Sequence, residues 1–240
     1  MQTLLRAEYG SRAFGTHTVD SDRDMVEIVI EPEKYITGIE TFKTVASSTA
    51  AEGKRSTSVD TDTTVYGLQN FCDLAVAGNP TILSILFVSE YETLDDLAKR
   101  LVDNRSLFVS KAAGRRFLGY MTSQRDAMLG LRNKRTNRPE LVHRFGFDTK
   151  FGYHVARLGL LGIELMETGV MQLPMKQSHI DVCMAIRNGE YSKEEVMTLF
   201  SELETKLLHA LETSTLQERG NRDAVSALLH SIYTDEWASR

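Results

Sequence analysis

Two aspartates, Asp22 and Asp24, stand at the start of a strand-like segment that continues through residues 25–32. In an extended strand alternate residues lie on the same face, so the two carboxylates are expected roughly 6–7 Å apart. Like charges held so close repel each other, and a divalent cation is the simplest partner that offsets the repulsion. The spacing therefore predicts a metal site at the beginning of this strand.

A tight turn and a second acidic segment extend this site. Gly10 and Ser11 end the first strand-like segment, and the backbone N–H groups and hydroxyl of such a turn can bind a phosphate. A third strand-like segment, about residues 58–65, carries Asp60 and Asp62 on one face. Three carboxylates can hold two Mg²⁺ ions, which stabilise the attacking and leaving oxygens in phosphoryl transfer. These residue types therefore predict phosphoryl-transfer chemistry.

The order of these motifs resembles the signature of the DNA polymerase beta superfamily of nucleotidyltransferases: a Gly-Ser turn, about ten residues, and then Asp-x-Asp. Four later segments are similar to a prokaryotic and phage branch, the RNA-repair-pathway polymerase-beta-like proteins: "VYGLQNFCDLAVAGNPTIL", "FLGYMTSQ", "FGFDTKFGYHVARLGLLGIELMETG" and "MQLPM". The resemblance covers most of the chain, from about Leu4 into the C-terminal helices. It implies a minimal nucleotidyltransferase mixed sheet with flanking helices, followed by an α-helical C-terminal domain.

The resemblance also assigns roles to single residues. It implies a nucleotide-binding turn that consists of Gly10, Ser11 and Arg12. It implies a catalytic and metal-binding set that consists of Asp22, Asp24 and Asp62, with two Mg²⁺ ions or Mn²⁺ in their place. Asp62 matches the third carboxylate best because it lies four residues before the aromatic residue of "VYGL"; Asp60 is the alternative on the same strand face.

A predicted helix in the second half of the chain carries a line of cationic side chains. Lys150, His154 and Arg157 follow one another at i, i+4 and i+7, which places them on one helix face. Arginine can bind a triphosphate bidentately, lysine acts as a point charge, and histidine donates or carries a proton. We expect the three to bind the nucleotide. The alternatives are a solvated stripe or internal ion pairs with Glu164 and Glu167.

These features predict transfer of an NMP from an NTP to a hydroxyl acceptor, with release of pyrophosphate. The acceptor stays open, because RNA or tRNA, another nucleic acid, a protein side chain and a small molecule all fit the same metal site. The alternative function is a nucleotide-binding or interaction module whose transferase activity is lost or depends on a partner. It is motivated by Gly67, Gln69 and Asn70, which stand where relatives often carry basic residues.

The elements that position these residues change along the chain. The first hundred residues mix strands and helices, whereas later segments show helical spacing. We therefore predict an α/β (α+β) protein with a catalytic domain at residues 1–100 and a helical domain at residues 101–240 that completes the nucleotide site. Helix signals include an Asp148 N-cap before a helix that ends near Gly169, and a capping box from Ser192 to Glu195.

Composition restricts the function classes. The formal charge of −5 argues against a protein that coats nucleic acid through bulk charge. Residues 111–150 nevertheless hold ten Lys and Arg against three acidic residues, and the segment "MLGLRNKRTNRPE" predicts an exposed basic loop or a nucleic-acid contact. Cys72 and Cys183 are expected to be buried free thiols. Without a membrane-length apolar segment or a signal-peptide pattern, we expect a cytoplasmic protein that does not contact membrane.

Overall fold

The computed structural model describes residues 1–54, 56–132 and 138–239. Within them the chain forms two compact units. The first unit comprises residues 1–109, 172–174 and 220–240. The second unit comprises residues 110–171 and 175–219. The last part of the chain thus belongs to the first unit.

A mixed five-stranded sheet forms the centre of the first unit, as the predicted α/β class requires. Its strands are β1 (Gln2–Glu8), β2 (Arg23–Ile30), β3 (Thr44–Ser48), β4 (Thr61–Gly67) and β5 (Thr93–Leu94). Their spatial order is β3-β4-β2-β1-β5. The pairs β1–β2, β1–β5 and β3–β4 are antiparallel, and β2–β4 is parallel. As a result, the end of β1 and the starts of β2 and β4 meet at one edge of the sheet.

Helices account for most of the remaining chain. In chain order they are α1 (Gly10–Ala13), α2 (Lys34–Thr37), α3 (Leu68–Val76), α4 (Pro80–Ile85), α5 (Asp96–Asp103), a 3-10 turn (Arg105–Leu107), α6 (Lys111–Met128), α7 (Pro139–Phe145), α8 (Thr149–Thr168), α9 (Gln177–Arg187), α10 (Lys193–Thr213) and α11 (Arg222–Ala238). The first unit holds α1–α5 and α11, and the second holds α6–α10.

The apolar core of the first unit explains its helices. In α3 one face buries Leu68, Phe71 and Ala75, which follow the helical period. The next segment, "TILSILFV", is compatible with either a helix or a strand on its sequence. It becomes α4 because Asn79 caps the helix by accepting from the backbone N–H of Thr81, and Pro80 occupies the first turn.

The second unit is organised around α8, which packs against α6, α9 and α10. Glycines permit this close packing: a Cβ at Gly159 would lie 2.9 Å from atoms of Leu203 and Met121. The predicted ends of α8 are confirmed, since Asp148 accepts from the backbone N–H of Lys150 and Gly169 adopts the left-handed conformation. The predicted capping box that begins α10 is also confirmed.

Burial tests the expectation for the two cysteines. Cys72 and Cys183 are buried free thiols, as predicted, and burial raises the pKa of the Cys183 thiol to about 12. Among the helices that the structure describes, none combines the length and the apolar character that crossing a membrane requires.

Candidate active site

The parallel pairing of β2 and β4 brings the predicted carboxylates together. Asp24 lies opposite Asp62 in the register of the two strands, and Asp22 immediately precedes β2. One carboxylate oxygen of each of these three residues lies within 4.8 Å of the others. The three side chains are half-buried, so solvent screens their mutual repulsion only in part. The sequence had predicted this grouping, and the structure supplies its geometry.

Asp60 and Asp62, which the sequence predicts on one strand face, have different surroundings: Asp60 precedes β4, and Asp62 lies within it. Asp60 accepts hydrogen bonds from the backbone N–H and hydroxyl of Thr57 and from the hydroxyl of Thr49. The bonds from Thr57, followed by the one from Thr49, lower the pKa of the Asp60 carboxyl. Asp62 instead accepts from the hydroxyl of Ser56 and belongs to the carboxylate cluster. Asp60 therefore anchors the loop before β4, and Asp62 supplies the third carboxylate of the cluster.

The turn that follows β1 lies directly against Asp24. Tyr9 donates its backbone N–H to the Asp24 carbonyl at 2.8 Å. Gly10 then has a φ of +63°, and a Cβ at this position would lie 1.8 Å from a carboxylate oxygen of Asp24. A side chain is thus excluded both by the backbone conformation and by the space available. Ser11 and Arg12 follow in α1, which places the predicted phosphate-binding turn beside the carboxylates.

An ion-pair network lies on the strand face opposite to the aspartates, and the sequence patterns did not identify it. Arg23 stands between Asp22 and Asp24 and donates its Nε–H to Glu8 at 2.9 Å. Arg23 also pairs with Glu92, while the Nε of Arg12 lies 3.6 Å from the same Glu8 carboxylate. The alternation that directs the aspartates to one face directs Arg23 to the other. These pairs hold the turn and the start of β2 in register.

The cluster has the donor chemistry of a divalent-cation site. Mg²⁺ and Mn²⁺ prefer oxygen ligands, and carboxylates are the usual protein donors for them. Asp22, Asp24 and Asp62 offer three such oxygens within reach of a shared ion. They come from adjacent strands, so their positions depend on backbone pairing. These residues therefore fit the metal ions that the sequence predicts.

The predicted cationic line on α8 lies within the second unit. Lys150 is exposed, and His154 and Arg157 are half-buried. Burial lowers the pKa of His154 well below its usual value, and the charges of Arg157 and Lys150 add to this effect, followed by Arg138 and Arg187. The cations around His154 thus include Arg138 and Arg187. The sequence did not predict these two neighbours, because they come from other segments of the chain. Their approach depends on tertiary packing and leaves no local sequence signal.

The two alternatives for this helix face can be compared with the observed ion pairs. Glu164 is buried and pairs at 2.8 Å with Lys176, a cation from another segment. Arg138 pairs with the buried Asp148 at 2.9 Å. One cation of this region is therefore structural, and a role for Lys150, His154 and Arg157 with a nucleotide stays a prediction.

Part of the positive charge between residues 111 and 150 is neutralised inside the second unit. Glu218 pairs with both Lys111 and Arg115, and Asp126 pairs with Arg125. The core of the predicted basic loop, residues 133–137, lies outside the described residues. The described part of this segment is therefore less available to phosphates than its composition indicated.

Comparison with known proteins supports the resemblance seen in the sequence. Residues 1–231 match the RNA repair pathway DNA polymerase beta family. An uncharacterized 38.9 kDa protein from the nrdC-mobD intergenic region of Enterobacteria phage T4 is 30% identical over 128 residues. That alignment covers 52% of this chain and 38% of the phage protein, so the chain matches well under two thirds of its relative. The family match includes every predicted site residue.

Replacement of two cluster carboxylates tests the metal site. At a Mn²⁺ concentration 100 times its Kd, the protein should gain about 2.7 kcal/mol in its free energy of unfolding. The combined Asp22→Asn and Asp24→Asn variant should gain no stability from Mn²⁺, because only one of the three charged ligands, Asp62, remains. Without divalent cations this variant should be more stable than the unchanged protein by roughly 0.2–1 kcal/mol, because like charges are removed. Urea unfolding with and without Mn²⁺ measures both effects.

The matched control for this experiment is Asp20→Asn. Asp20 is exposed and lies outside the cluster, so the control should respond to Mn²⁺ as the unchanged protein does. An undiminished Mn²⁺ response in the double variant would refute the metal site.

Gly10→Ala tests the contact between the turn and Asp24. Gly53 is a matched control because it has a φ of +75° and a Cβ added there would have no atom within 4 Å. Both alanine variants should lose about 1–2 kcal/mol of stability from backbone strain. Only Gly10→Ala should also weaken Mn²⁺ binding, because the new methyl group displaces the Asp24 carboxylate. Calorimetric Mn²⁺ titration of both variants checks this, and equal affinities would contradict it.

The lowered pKa of His154 predicts a pH effect on stability. Unfolded histidine has a pKa near 6.5, so below about pH 6.5 the unfolded chain takes up a proton that the folded chain refuses. As the pH decreases below about 6.5, the free energy of unfolding should therefore decrease, until the pH reaches the lowered pKa of His154 in the folded protein. His154→Gln should flatten this decline in urea unfolding between about pH 7 and pH 5. His209→Gln, at an exposed position, should keep it; equal slopes for both variants would exclude the His154 contribution.

Proposed function

Because the chain belongs to the RNA repair pathway DNA polymerase beta family, we propose that it is a metal-dependent nucleotidyltransferase. It moves an NMP from an NTP to a hydroxyl acceptor and releases pyrophosphate. The observation that carries this proposal is the meeting of Asp22, Asp24 and Asp62, whose carboxylate oxygens lie within 4.8 Å of one another. Nucleotidyl transfer is the family-level chemistry that uses such a cluster.

Different residues are proposed to bind the metal ions, the acceptor hydroxyl and the phosphates. Asp22, Asp24 and Asp62 would hold two Mg²⁺ ions, or Mn²⁺ in their place, which supply positive charge to the phosphates and to the reacting oxygens. Asp62 accepts a hydrogen bond from the acceptor hydroxyl and takes its proton. The backbone N–H groups at Gly10 and Ser11 bind the phosphates of the NTP. The Arg12 guanidinium, whose Nε lies 3.6 Å from Glu8, joins them by exchanging that partner for a phosphate.

The cations of α8 are proposed to bind the nucleotide as well. The lowered pKa of His154 keeps its imidazole neutral near pH 7, so it can donate a hydrogen bond without carrying charge. Lys150 and Arg157 retain their charges and attract a triphosphate. Burial is the largest cause of the lowered His154 pKa, and four neighbouring cations add to it. The positive potential of these cations supports the role, because it favours an anion.

The acceptor carries a hydroxyl, and its class is still open. RNA, tRNA or another nucleic acid is one proposal, which the family description favours. The ion pairs of Lys111, Arg115 and Arg125 reduce the charge that the helical unit offers to a nucleic acid. A protein hydroxyl or a small molecule therefore remains an equal proposal.

Labelled nucleotides test the proposed reaction. The purified protein is incubated with Mg²⁺, a cell extract and each of the four NTPs labelled at the α-phosphate. Label should enter a macromolecule, whereas NTP labelled at the γ-phosphate should leave no label there, because pyrophosphate departs. The combined Asp22→Asn and Asp24→Asn variant should lose on the order of a hundredfold or more in rate. Label transfer at an unchanged rate by this variant would refute the assignment.

The labelling experiment, combined with calorimetry, distinguishes the transferase from the alternative function. Calorimetry with NTPs in the presence and absence of Mg²⁺ measures binding without requiring turnover. Mg²⁺-dependent NTP binding with no labelled product over a broad range of acceptors would identify a nucleotide-binding or interaction module. Label in a product identifies the transferase.

A further inference from the structure

A loop serine contacts the carboxylate that is proposed to activate the acceptor. The Ser56 hydroxyl lies 2.9 Å from both carboxylate oxygens of Asp62 and donates its hydrogen bond there. Ser56 is half-buried and belongs to the loop between β3 and β4. This hydroxyl has no part in nucleotide or metal binding as proposed above.

The neighbouring hydroxyls of the same loop have different partners. Thr57 and Thr49 donate to Asp60, which stands outside the carboxylate cluster. These bonds fix the loop on both sides of Ser56 and direct its side chain to Asp62. In the register of β3 and β4, Ser48 lies opposite Asp62, and its hydroxyl is 3.5 Å from that of Ser56. The loop thus presents a polar, hydroxyl-bearing surface to the cluster carboxylate.

The geometry at Asp62 matches what an acceptor requires. A general base must lie within hydrogen-bond distance, about 2.6–3.2 Å, of the hydroxyl whose proton it takes. Ser56 meets this condition before any other acceptor arrives. Through this contact the hydroxyl lies next to the cluster of Asp22, Asp24 and Asp62, whose ions are proposed to act on the reacting oxygens.

We propose that Ser56 is itself an acceptor, and that the protein attaches an NMP to its own Ser56 hydroxyl. The inference rests on the proposed function, because it uses the same carboxylates and the same NTP. Ser56 Oγ gives its proton to Asp62 and forms a bond to the α-phosphorus. The bond from the α-phosphorus to the oxygen that bridges to the β-phosphorus breaks. Pyrophosphate leaves, and a phosphodiester joins the nucleoside to Ser56.

This modification would slow the transfer of NMP to other acceptors. The new phosphodiester places a nucleotide at Asp62 and removes the hydroxyl that had occupied the acceptor position. A foreign acceptor must then compete with a covalently attached group for the same carboxylate. Self-labelling should therefore stop after one NMP per chain, and the modified protein should transfer to other acceptors more slowly than the unmodified protein.

Mass spectrometry of the purified protein tests the proposal. The full chain is incubated with Mg²⁺ and each of the four NTPs labelled at the α-phosphate, and its intact mass and proteolytic peptides are measured. One added NMP should appear, on the peptide that contains Ser56. Ser56→Ala should remove this label. Ser56→Thr keeps a hydroxyl at the same position and should restore it in part.

One control variant and a parallel reaction distinguish the possible outcomes. Ser58→Ala changes an exposed serine of the same loop and should label as the unchanged protein does. The parallel reaction contains cell extract as a source of other acceptors. NMP transfer to extract macromolecules, with Ser56 unmodified or with the NMP on another residue, overturns the self-modification and leaves the proposed function standing. No transfer to any acceptor, including the protein itself, overturns both.

Discussion

The parallel pairing of β2 with β4 is the constraint on which the carboxylate cluster of the first unit depends. It sets Asp24 opposite Asp62 and holds three carboxylates within 4.8 Å of one another. Their repulsion opposes folding, so the strands must be held by interactions elsewhere. Met25, Ile28 and Ile30 of β2 are almost completely buried, and burial of such side chains contributes about 1.5–3 kcal/mol each. The strand is acidic where it begins and apolar where it crosses the core.

The opposite end of β2 shows how a structural carboxylate differs from those of the site. Glu31 directly follows β2, is buried, and accepts from the backbone N–H of Gln69 and the hydroxyl of Tyr233. Burial, together with this hydrogen bond, raises the pKa of Tyr233. The contact fastens α11 to the sheet and explains why the end of the chain belongs to the first unit. A buried carboxylate with two protein donors stabilises the fold, whereas the half-buried cluster offers its oxygens to a ligand.

Local patterns predicted the parts of the structure that local physics determines. The Asp-x-Asp spacing fixed one strand face, and the capping residues Asp148 and Ser192 fixed two helix starts. Strand β3 was missed because all of its residues are exposed, so it has no alternation of apolar and polar side chains. The approach of Arg138 and Arg187 to His154, and of Ser56 to Asp62, joins segments through tertiary contacts. Such contacts follow from packing and have no period that a sequence can show.

Residues of the loop before β4 give Asp60 and Asp62 different hydrogen-bond partners. Asp60 receives three hydrogen bonds from Thr57 and Thr49, which satisfy its carboxylate and shape the loop. Asp62 is left to face the cluster and receives the Ser56 hydroxyl. A hydrogen bond to a charged group contributes about 1.5–3 kcal/mol, which is roughly a 10- to 100-fold difference in an equilibrium constant. Under the proposed function, an acceptor hydroxyl that replaces Ser56 at Asp62 would take over this hydrogen bond, so the contact favours acceptors that can donate to Asp62.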